Sequence, residues 1–398
     1  MSAERILFVT SNGTGLGHLT RSMAIARRLP DGIAPFFLTL SAAAPVVRGL
    51  GFPVEYVASY ATPGSGNDWR WSRRLRGRLR AAIDELDPAV LVFDGTHPYE
   101  ALIGAFRDRA EMCAVWCRRP LWKRGSDRTP LGRAGAFDAV LEPGELAEAE
   151  DRGPTVALRD AARRVGPVVL LDRAELLPRA EAERELGLEP GRTNVLVTLG
   201  QGEEVRDATE RCLCHLATRD DVQVAALQST IAGSGAGTDT DAMLFTHMGE
   251  NAPGGRARAA SNPPRGVVEL HATYPMSRYF AVFDAAVSAA GYNAFHELIG
   301  LGVPSLYVPI HRETDDQAAR ARWAEQAGVG RGLEGTSDPR LEDTLDDLLD
   351  PSRRAEIATR LSELDPATGA NDAAKWLADL THETKRRTGT PPRSRTPG

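Results

Sequence analysis

Residues 283–317 read FDAAVSAAGYNAFHELIGLGVPSLYVPIHRETDDQ. Residues 285–290 form a short apolar run, the length and composition of a strand buried on both faces. Gly291 follows as a turn residue, free to take a positive φ and to let backbone N–H groups approach a ligand closely. Residues 293–300 have helical spacing, and 305–308 form a second buried strand before a polar loop that opens another helix. Strand, glycine turn, helix and strand make a βαβ unit, which requires a parallel sheet covered by helices. The first N–H groups of that helix have no intrahelical acceptor and lie at the positive end of its dipole, a seat for a phosphate or diphosphate. Glu297, in the second turn, would oppose a phosphate but can accept two ribose hydroxyls. Diphosphate beside a diol implies a nucleotide-sugar site.

The same alternation runs outward from this stretch. Strand candidates at 5–10, 34–40, 54–57, 89–93, 113–116 and 139–141 alternate with helical stretches at 18–29, 42–50, 71–86 and 100–109. Residues 165–179, with two prolines, read as a connector. A second alternation begins with a strand at 194–199, then a helix to about 218 and strands at 222–227 and 267–271. Residues 233–265, rich in Gly, Ala and Pro, read as a mobile loop or an insertion. The expected class is α/β, with two doubly wound, Rossmann-like parallel sheets: residues 1–168, residues 169–384, and a disordered tail at 385–398.

Composition narrows the function. The 398 residues suffice for two cores. The net charge of −6 is uneven: residues 1–133 carry nineteen Lys/Arg against twelve Asp/Glu, and the remainder twenty-nine against forty-two. That balance argues against general nucleic-acid binding and permits an anionic acceptor or membrane surface at the front half. No apolar run is long enough to span a membrane, and the N-terminus enters a strand directly, so the expectation is a cytoplasmic protein. The four cysteines, Cys113, Cys117, Cys212 and Cys214, make no metal or redox spacing and read as reduced thiols. No metal site stands out, since Asp239 and Asp241 form only a weak pair inside the 233–265 segment.

The quoted stretch resembles the donor-binding signature of glycosyltransferase family 28. Asp284 stands before the strand, Gly291 at the turn and Glu297 six residues on, followed by Gly302, Pro304, Pro309 and the Asp316–Gln317 pair. In that family the Glu takes the ribose hydroxyls and the pair takes hydroxyls of the donor sugar. The resemblance implies the GT-B architecture, two such domains facing a cleft, with acceptor on the first and nucleotide sugar on the second. It also implies a last helix, near 373–381, that returns to the first domain. The first loop, Gly13-Thr14-Gly15-Leu16-Gly17-His18, resembles the family's glycine-rich loop, one residue longer than in the type member. Gly200-Gln201-Gly202 takes the place of its second glycine loop, and Glu203 and Glu204 follow where small or polar residues are usual. The segment around Thr273 would read the base edge through its backbone, and Arg278 reads either as a phosphate contact or as a solvated helix residue. Tyr292, Asn293 and Ala294, at the helix start, join the donor-binding set.

The reaction the resemblance implies is an inverting, metal-independent transfer of N-acetylglucosamine from a UDP-sugar to a hydroxyl acceptor, with no cofactor. The acceptor, a lipid-linked glycan or a small molecule, is open. A neutral histidine at a helix N-terminus suits the base, which makes His18 the first choice; Asp94 and His97, at the end of another strand, are the other base or base-orienting candidates. The alternatives are a UDP-sugar hydrolase, whose Gly-His-x-x-Arg loop is matched by Gly17, His18 and Arg21, and a non-catalytic nucleotide-sugar-binding subunit. Trp69 to Arg80 (WRWSRRLRGRLR) carries six arginines around two tryptophans. It reads as a solvated helix face or as peripheral contact with the inner face of a membrane.

Overall fold

The computed structural model describes residues 3–11, 16–60, 68–200, 202–227, 266–271, 273–365 and 367–389. Among them are two all-parallel sheets. The first contains β1 (Glu4–Thr10), β2 (Ile33–Thr39), β3 (Val54–Tyr56), β4 (Val90–Asp94), β5 (Cys113–Cys117), β6 (Ala139–Glu142) and β7 (Arg163–Arg164), in the spatial order 3-2-1-4-5-6-7. The second contains β8 (Thr193–Thr198), β9 (Val222–Leu227), β10 (Val267–Leu270), β11 (Ala285–Ser288), β12 (Ser305–Tyr307) and β13 (Arg331–Gly332), in the order 10-9-8-11-12-13. In each sheet the winding reverses beside the first strand. A crevice therefore opens at the carboxyl ends of β1 and β4, where Thr10 lies beside Asp94, and of β8 and β11, where Thr198 lies beside Ser288.

The helices are α1 (Gly17–Ala26), α2 (Ala44–Gly49), α3 (Asp68–Leu86), α4 (Glu100–Phe106), α5 (Arg179–Leu186), α6 (Glu203–Leu216), α7 (Tyr292–Leu301), α8 (Gln317–Gln326), α9 (Leu341–Leu349), α10 (Pro351–Ser362) and α11 (Gly369–Gly389). Strand period two sorts the first core into layers. Ile6 and Phe8 pack under α1 and α11, whereas Leu7 and Val9 pack under α3 and α4. On α3 the helical period buries Trp71, Leu75, Leu79, Ala82 and Ile83. Gly302, at φ +85, closes α7 in the left-handed conformation, and Pro304 follows two residues on.

Residues 165–179 are a packed strap rather than a loose connector. Val168, Val169, Leu170 and Leu171 are buried. Arg27 donates to the Leu170 carbonyl at 2.7 Å, and Arg28 pairs with Asp172 at 2.8 Å. The chain crosses back at its end. The Gly369 N–H donates to the Pro167 carbonyl at 3.1 Å, and α11 then runs along the first sheet with Ala373, Ala374 and Leu377 buried. It continues to Gly389, which corrects the expectation of a disordered tail from 385 onward. The polar residues there lie on an outer face, and Lys385 reaches Asp87 at 3.1 Å. Residues 390–398, the 233–265 segment with Asp239 and Asp241, and Gly13, Thr14, Gly15 and Gln201 lie outside the described residues.

The two sheets are also joined away from the strap. Trp122 and Asp315 form an antiparallel bridge, the Lys123 N–H donates to the Thr314 carbonyl at 2.8 Å, and the Asp316 N–H donates to the Leu121 carbonyl at 3.1 Å.

At the crossing of α11 and the strap there is no room for a side chain. A Cβ at position 369 would lie 1.8 Å from the Gly166 carbonyl oxygen. Gly369→Ala should cost about 1–3 kcal/mol or more, as overpacking does. Gly77→Ala, inside α3 with nothing within 4 Å, should instead gain up to about 1 kcal/mol of helix propensity. Calorimetric melting temperatures moving in opposite directions is the expected result.

Candidate functional site

The carboxyl ends of the two sheets face each other across a cleft of ≈ 770 Å³. From the first sheet it is lined by Gly17, His18, Arg21, His97 and Arg119, and from the second by Gly200, Thr273, Gly291, Asn293, Ala294, Glu297 and Gln317. The N-termini of α1 and α7 point at this space from opposite sides. They meet where Asn293 Nδ2 donates to the Gly17 carbonyl at 3.1 Å.

On the first side, His18 and Asp94 form a pair. His18 Nδ1 lies 2.7 Å from Asp94 Oδ1, and Arg21 grips the same carboxylate with Nε on Oδ2 at 2.9 Å and Nη2 on Oδ1 at 2.5 Å. Residues 18 and 21 are three apart and share a helix face, so one carboxylate at the end of β4 serves both. A carboxylate only accepts, so His18 Nδ1 carries the proton and Nε2 is left as an acceptor. Burial lowers the His18 pKa more than the Asp94 hydrogen bond and charge raise it, with Arg21 and Arg119 adding to the lowering. Burial also opposes ionisation of Asp94, but the Arg21 charge and the His18 hydrogen bond more than offset it, so its pKa lies below the usual carboxylate value. At neutral pH the pair is a neutral imidazole on a carboxylate, the state a general base needs. His97 lines the cleft and is exposed, but it has no bond to either member of the pair.

On the second side, Gly291 is the residue before α7, with φ −68 and ψ 149. Its backbone is extended, which corrects the expectation of a positive φ. An added Cβ would meet only Gln317 Nε2, at 3.8 Å; the missing side chain leaves open approach to the α7 N–H groups. Positive φ is found instead at Gly200 (+89) and Gly202 (+119), ahead of α6. Glu204 turns away onto the next loop, where it accepts the His311 N–H and lies 3.9 Å from Arg312. Thr273 lines the cleft, its hydroxyl on the His271 carbonyl.

Glu297 is the most unusual group. Among the described residues its Oε1 is buried without a hydrogen-bond partner, as is Asn293 Oδ1. Burial pushes its pKa up to about 7, against a small lowering by a hydrogen bond from the Leu170 backbone.

Some sequence expectations land elsewhere. Asp316 caps α8 by accepting the Ala319 N–H and does not line the cleft, because a helix start needs that acceptor. Its neighbour Asp315 lines the cleft instead. Gln317 is buried, with Oε1 on the Ile310 N–H. Tyr292 turns its side chain toward the first sheet. Asp284 sits at the amino end of β11, bound by Arg179 at 3.0 Å and by the Asn194 N–H at 2.8 Å, far from any ligand role. Arg278 is exposed and outside the cleft wall.

The sequence reading missed a buried charge network. Glu145, after β6, receives Arg320 of α8 at 2.9 Å and lies 3.2 Å from His296 Nε2. Arg320 also bonds Asp315 at 2.8 Å and the Ala290 carbonyl at 3.0 Å, and Arg119 pairs with Asp315 at 2.6 Å. Burial opposes the charge on Glu145, but Arg320 and His296 hold its pKa at about 2. The only sequence signal was position: Arg119 follows the carboxyl end of β5, where such sheets place ligand contacts.

The arginine face of α3 is divided. Arg78 pairs with Glu55 at 2.6 Å, and Arg76 and Arg80 donate to the Gly104 carbonyl at 3.1 Å each. Trp69 is 59% exposed, under the Arg70 guanidinium, and Arg73 and Arg74 are exposed, whereas Trp71 is in the core. Among the described residues no His, Cys, Asp or Glu cluster is arranged to hold a metal ion, and no helix is long and apolar enough to cross a membrane.

Residues 266–375 match the model of the glycosyltransferase family 28 C-terminal domain. The UDP-N-acetylglucosamine--N-acetylmuramyl-(pentapeptide) pyrophosphoryl-undecaprenol N-acetylglucosamine transferase of Clavibacter michiganensis subsp. michiganensis is 28% identical over 238 residues; the match covers 58% of this chain and 57% of that relative's length. The transferase of the same name from Nocardia farcinica is 25% identical over 95% of this chain and 96% of its own length. The crystal structure of Acinetobacter baumannii MurG superposes with a TM-score of 0.57 at 14% identity, covering 95% of this chain and 99% of that one. The fold is GT-B.

The unpaired Glu297 carries a stability signature. Its folded pKa, about 7, lies above its ordinary 4.5. Between those values the unfolded chain has lost the proton and the folded one retains it, so stability falls as pH rises through the window and levels off above 7. The full difference is about 3 kcal/mol as an upper figure. Glu297→Gln should therefore be more stable than the native chain at pH 8 and equal to it near pH 4.5, read from melting temperature against pH. Equal pH dependence of the two would mean that Glu297 has a partner.

Proposed function

With a glycosyltransferase family 28 C-terminal domain at 266–375 inside a GT-B fold, we propose that this chain is an inverting glycosyltransferase, moving N-acetylglucosamine from UDP to a hydroxyl acceptor. The observation that carries the reading is the opposition of two acceptors across one cleft: His18 Nε2 on the first side, and on the second Glu297 Oε1, buried without a partner among the described residues.

In this scheme the ribose diol donates to Glu297, and the diphosphate lies on the N–H groups at the start of α7 and beside the glycines ahead of α6. The acceptor hydroxyl gives its proton to His18 Nε2 as its oxygen attacks the anomeric carbon. The bond from that carbon to the diphosphate breaks on the opposite face, so the configuration inverts. Asp94 stabilises the imidazolium that forms. The helix dipole and backbone N–H groups receive the charge of the leaving UDP, so the scheme needs no divalent cation. The names of the relatives favour a lipid-linked acceptor. For such an acceptor, Trp69, Arg70, Arg73 and Arg74 are the surface for peripheral contact with an anionic membrane.

Kinetics on paired variants test the assignment. Glu297→Ala should raise the donor KM by roughly ten- to more than a hundred-fold, the loss of a charged hydrogen bond. His18→Ala should lower kcat by about 10²–10⁴ with donor affinity unchanged. Both assays should run undiminished in EDTA. The acceptor is identified by mass spectrometry of products formed from UDP-N-acetylglucosamine in bacterial extract. Stoichiometric UDP and free sugar without any acceptor would replace the transferase reading with hydrolysis.

A further inference from the structure

Tyr292 is the first residue of α7, yet its side chain leaves the donor side of the cleft. Two guanidinium groups approach its ring, with Arg21 Cζ 5.3 Å and Arg320 Cζ 5.7 Å from the ring centroid. Its hydroxyl donates to the Gly144 carbonyl at 2.8 Å and accepts the Val168 N–H at 3.1 Å. Tyr292 is 4% exposed, Arg21 2% and Arg320 0%. A phenol in such a place stays protonated, since burial raises its pKa further.

The two guanidinium groups serve opposite sides of the cleft. Arg21 holds both oxygens of Asp94, one of them shared with His18. Arg320 holds the Ala290 carbonyl, one residue before the Gly291 turn, together with Glu145 and Asp315. One ring thus contacts the group that fixes the base and the group that fixes the phosphate seat. Two cations share one ring because each is neutralised by its own carboxylates, and each retains a cation–π attraction to it.

We propose that Arg21 and Tyr292 are positioning residues that set the donor helix α7 in register with the His18–Asp94 pair. The kinetic part of this proposal rests on the transferase reading. Both residues line the cleft wall, but the role assigned to them runs through Asp94 and α7 rather than through a hold on the sugar. Tyr292 sets the separation of α7 from the first sheet, and Arg21 sets the orientation and charge of Asp94. The groups facing His18 are Asp94 from β4, Arg21 from its own helix and Arg119 from beyond β5, with Cys117 and Tyr292 behind the Arg21–Asp94 contact. Without Arg21, Asp94 acts on His18 against burial and Arg119 alone, and the imidazolium gains.

The test is an NMR titration of the histidine ring protons of the full chain, with His18 assigned by its loss in His18→Ala, beside kinetics with UDP-N-acetylglucosamine. Arg21→Met should raise the His18 pKa by about one unit or more, and Arg21→Lys by less. Tyr292→Phe keeps the ring and loses both hydroxyl bonds; it should lower kcat about tenfold or more and leave the donor KM within about twofold. An unmoved His18 titration in folded Arg21→Met overturns the proposal. So does a Tyr292→Phe variant with raised donor KM and native kcat, because that is the mark of a donor contact. If Arg21→Met does not fold, Arg21→Lys decides the titration. The titration needs no turnover, so an inactive native chain refutes the transferase reading while the register between Arg21 and His18 is still measured.

Discussion

Arg320 and Glu145 meet in a place sealed from water, and the placement of one sheet against the other depends on them. Glu145 belongs to the loop after β6 and Arg320 to α8, so neither finds its partner until both halves of the chain are in place. A buried ion pair is weak glue, because the attraction mostly offsets the loss of hydration. Its value lies in what it forbids. A docking shifted by a few ångströms would leave one of these charges buried alone, at about 3–5 kcal/mol. Arg320 also holds the Ala290 carbonyl and Asp315, so the same condition that aligns the halves aligns the turn before α7. The cleft inherits its geometry from a charge that tolerates one arrangement.

Inside the cleft, two carboxylates show how environment divides one chemistry into two. Asp94 is buried but shared between a guanidinium and an imidazole, so it stays ionised and orients His18, which burial keeps neutral. Glu297 is also desolvated but has little to offset that cost, so its pKa rises toward neutrality. The first is satisfied by the protein. The second is left for a ligand hydroxyl to satisfy, which makes the unliganded chain less stable than its sequence could have been.

The fold was legible because buried parallel strands announce themselves. The runs at Ile6 to Val9, Val90 to Phe93 and Ala285 to Ser288 have no other use, and the glycine turns mark their carboxyl ends. Glu297 and His18 were legible for a related reason: each occupies a fixed offset from such a turn, and the helix period then aims it. Asp94 stood at a strand end, but nothing in the sequence showed that Arg21 would share it. Arg119, Glu145 and Arg320 were invisible because their partners come from distant segments, and pairing across 175 residues leaves no local period. Asp316 was misplaced, and the Tyr292 hydroxyl turned to the first sheet although the residue lines the cleft, for a single reason. Spacing along a helix start says which residues are near a ligand, but capping and packing decide which side chains turn toward it. The end of α11 was misjudged because polar composition alone does not forbid a helix that has an apolar sheet to lie on.

That last helix has a consequence for how the chain is made. Ile6 and Phe8 share their core with Ala373, Ala374 and Leu377, which are made hundreds of residues later. The first sheet therefore leaves the ribosome with one apolar face covered by α1 alone and waits for α11 before that face closes. Until then it presents the kind of surface that chaperones hold and other nascent chains aggregate on. The two halves are successive in sequence but not in assembly: the second must fold, and return its tail, before the first is complete.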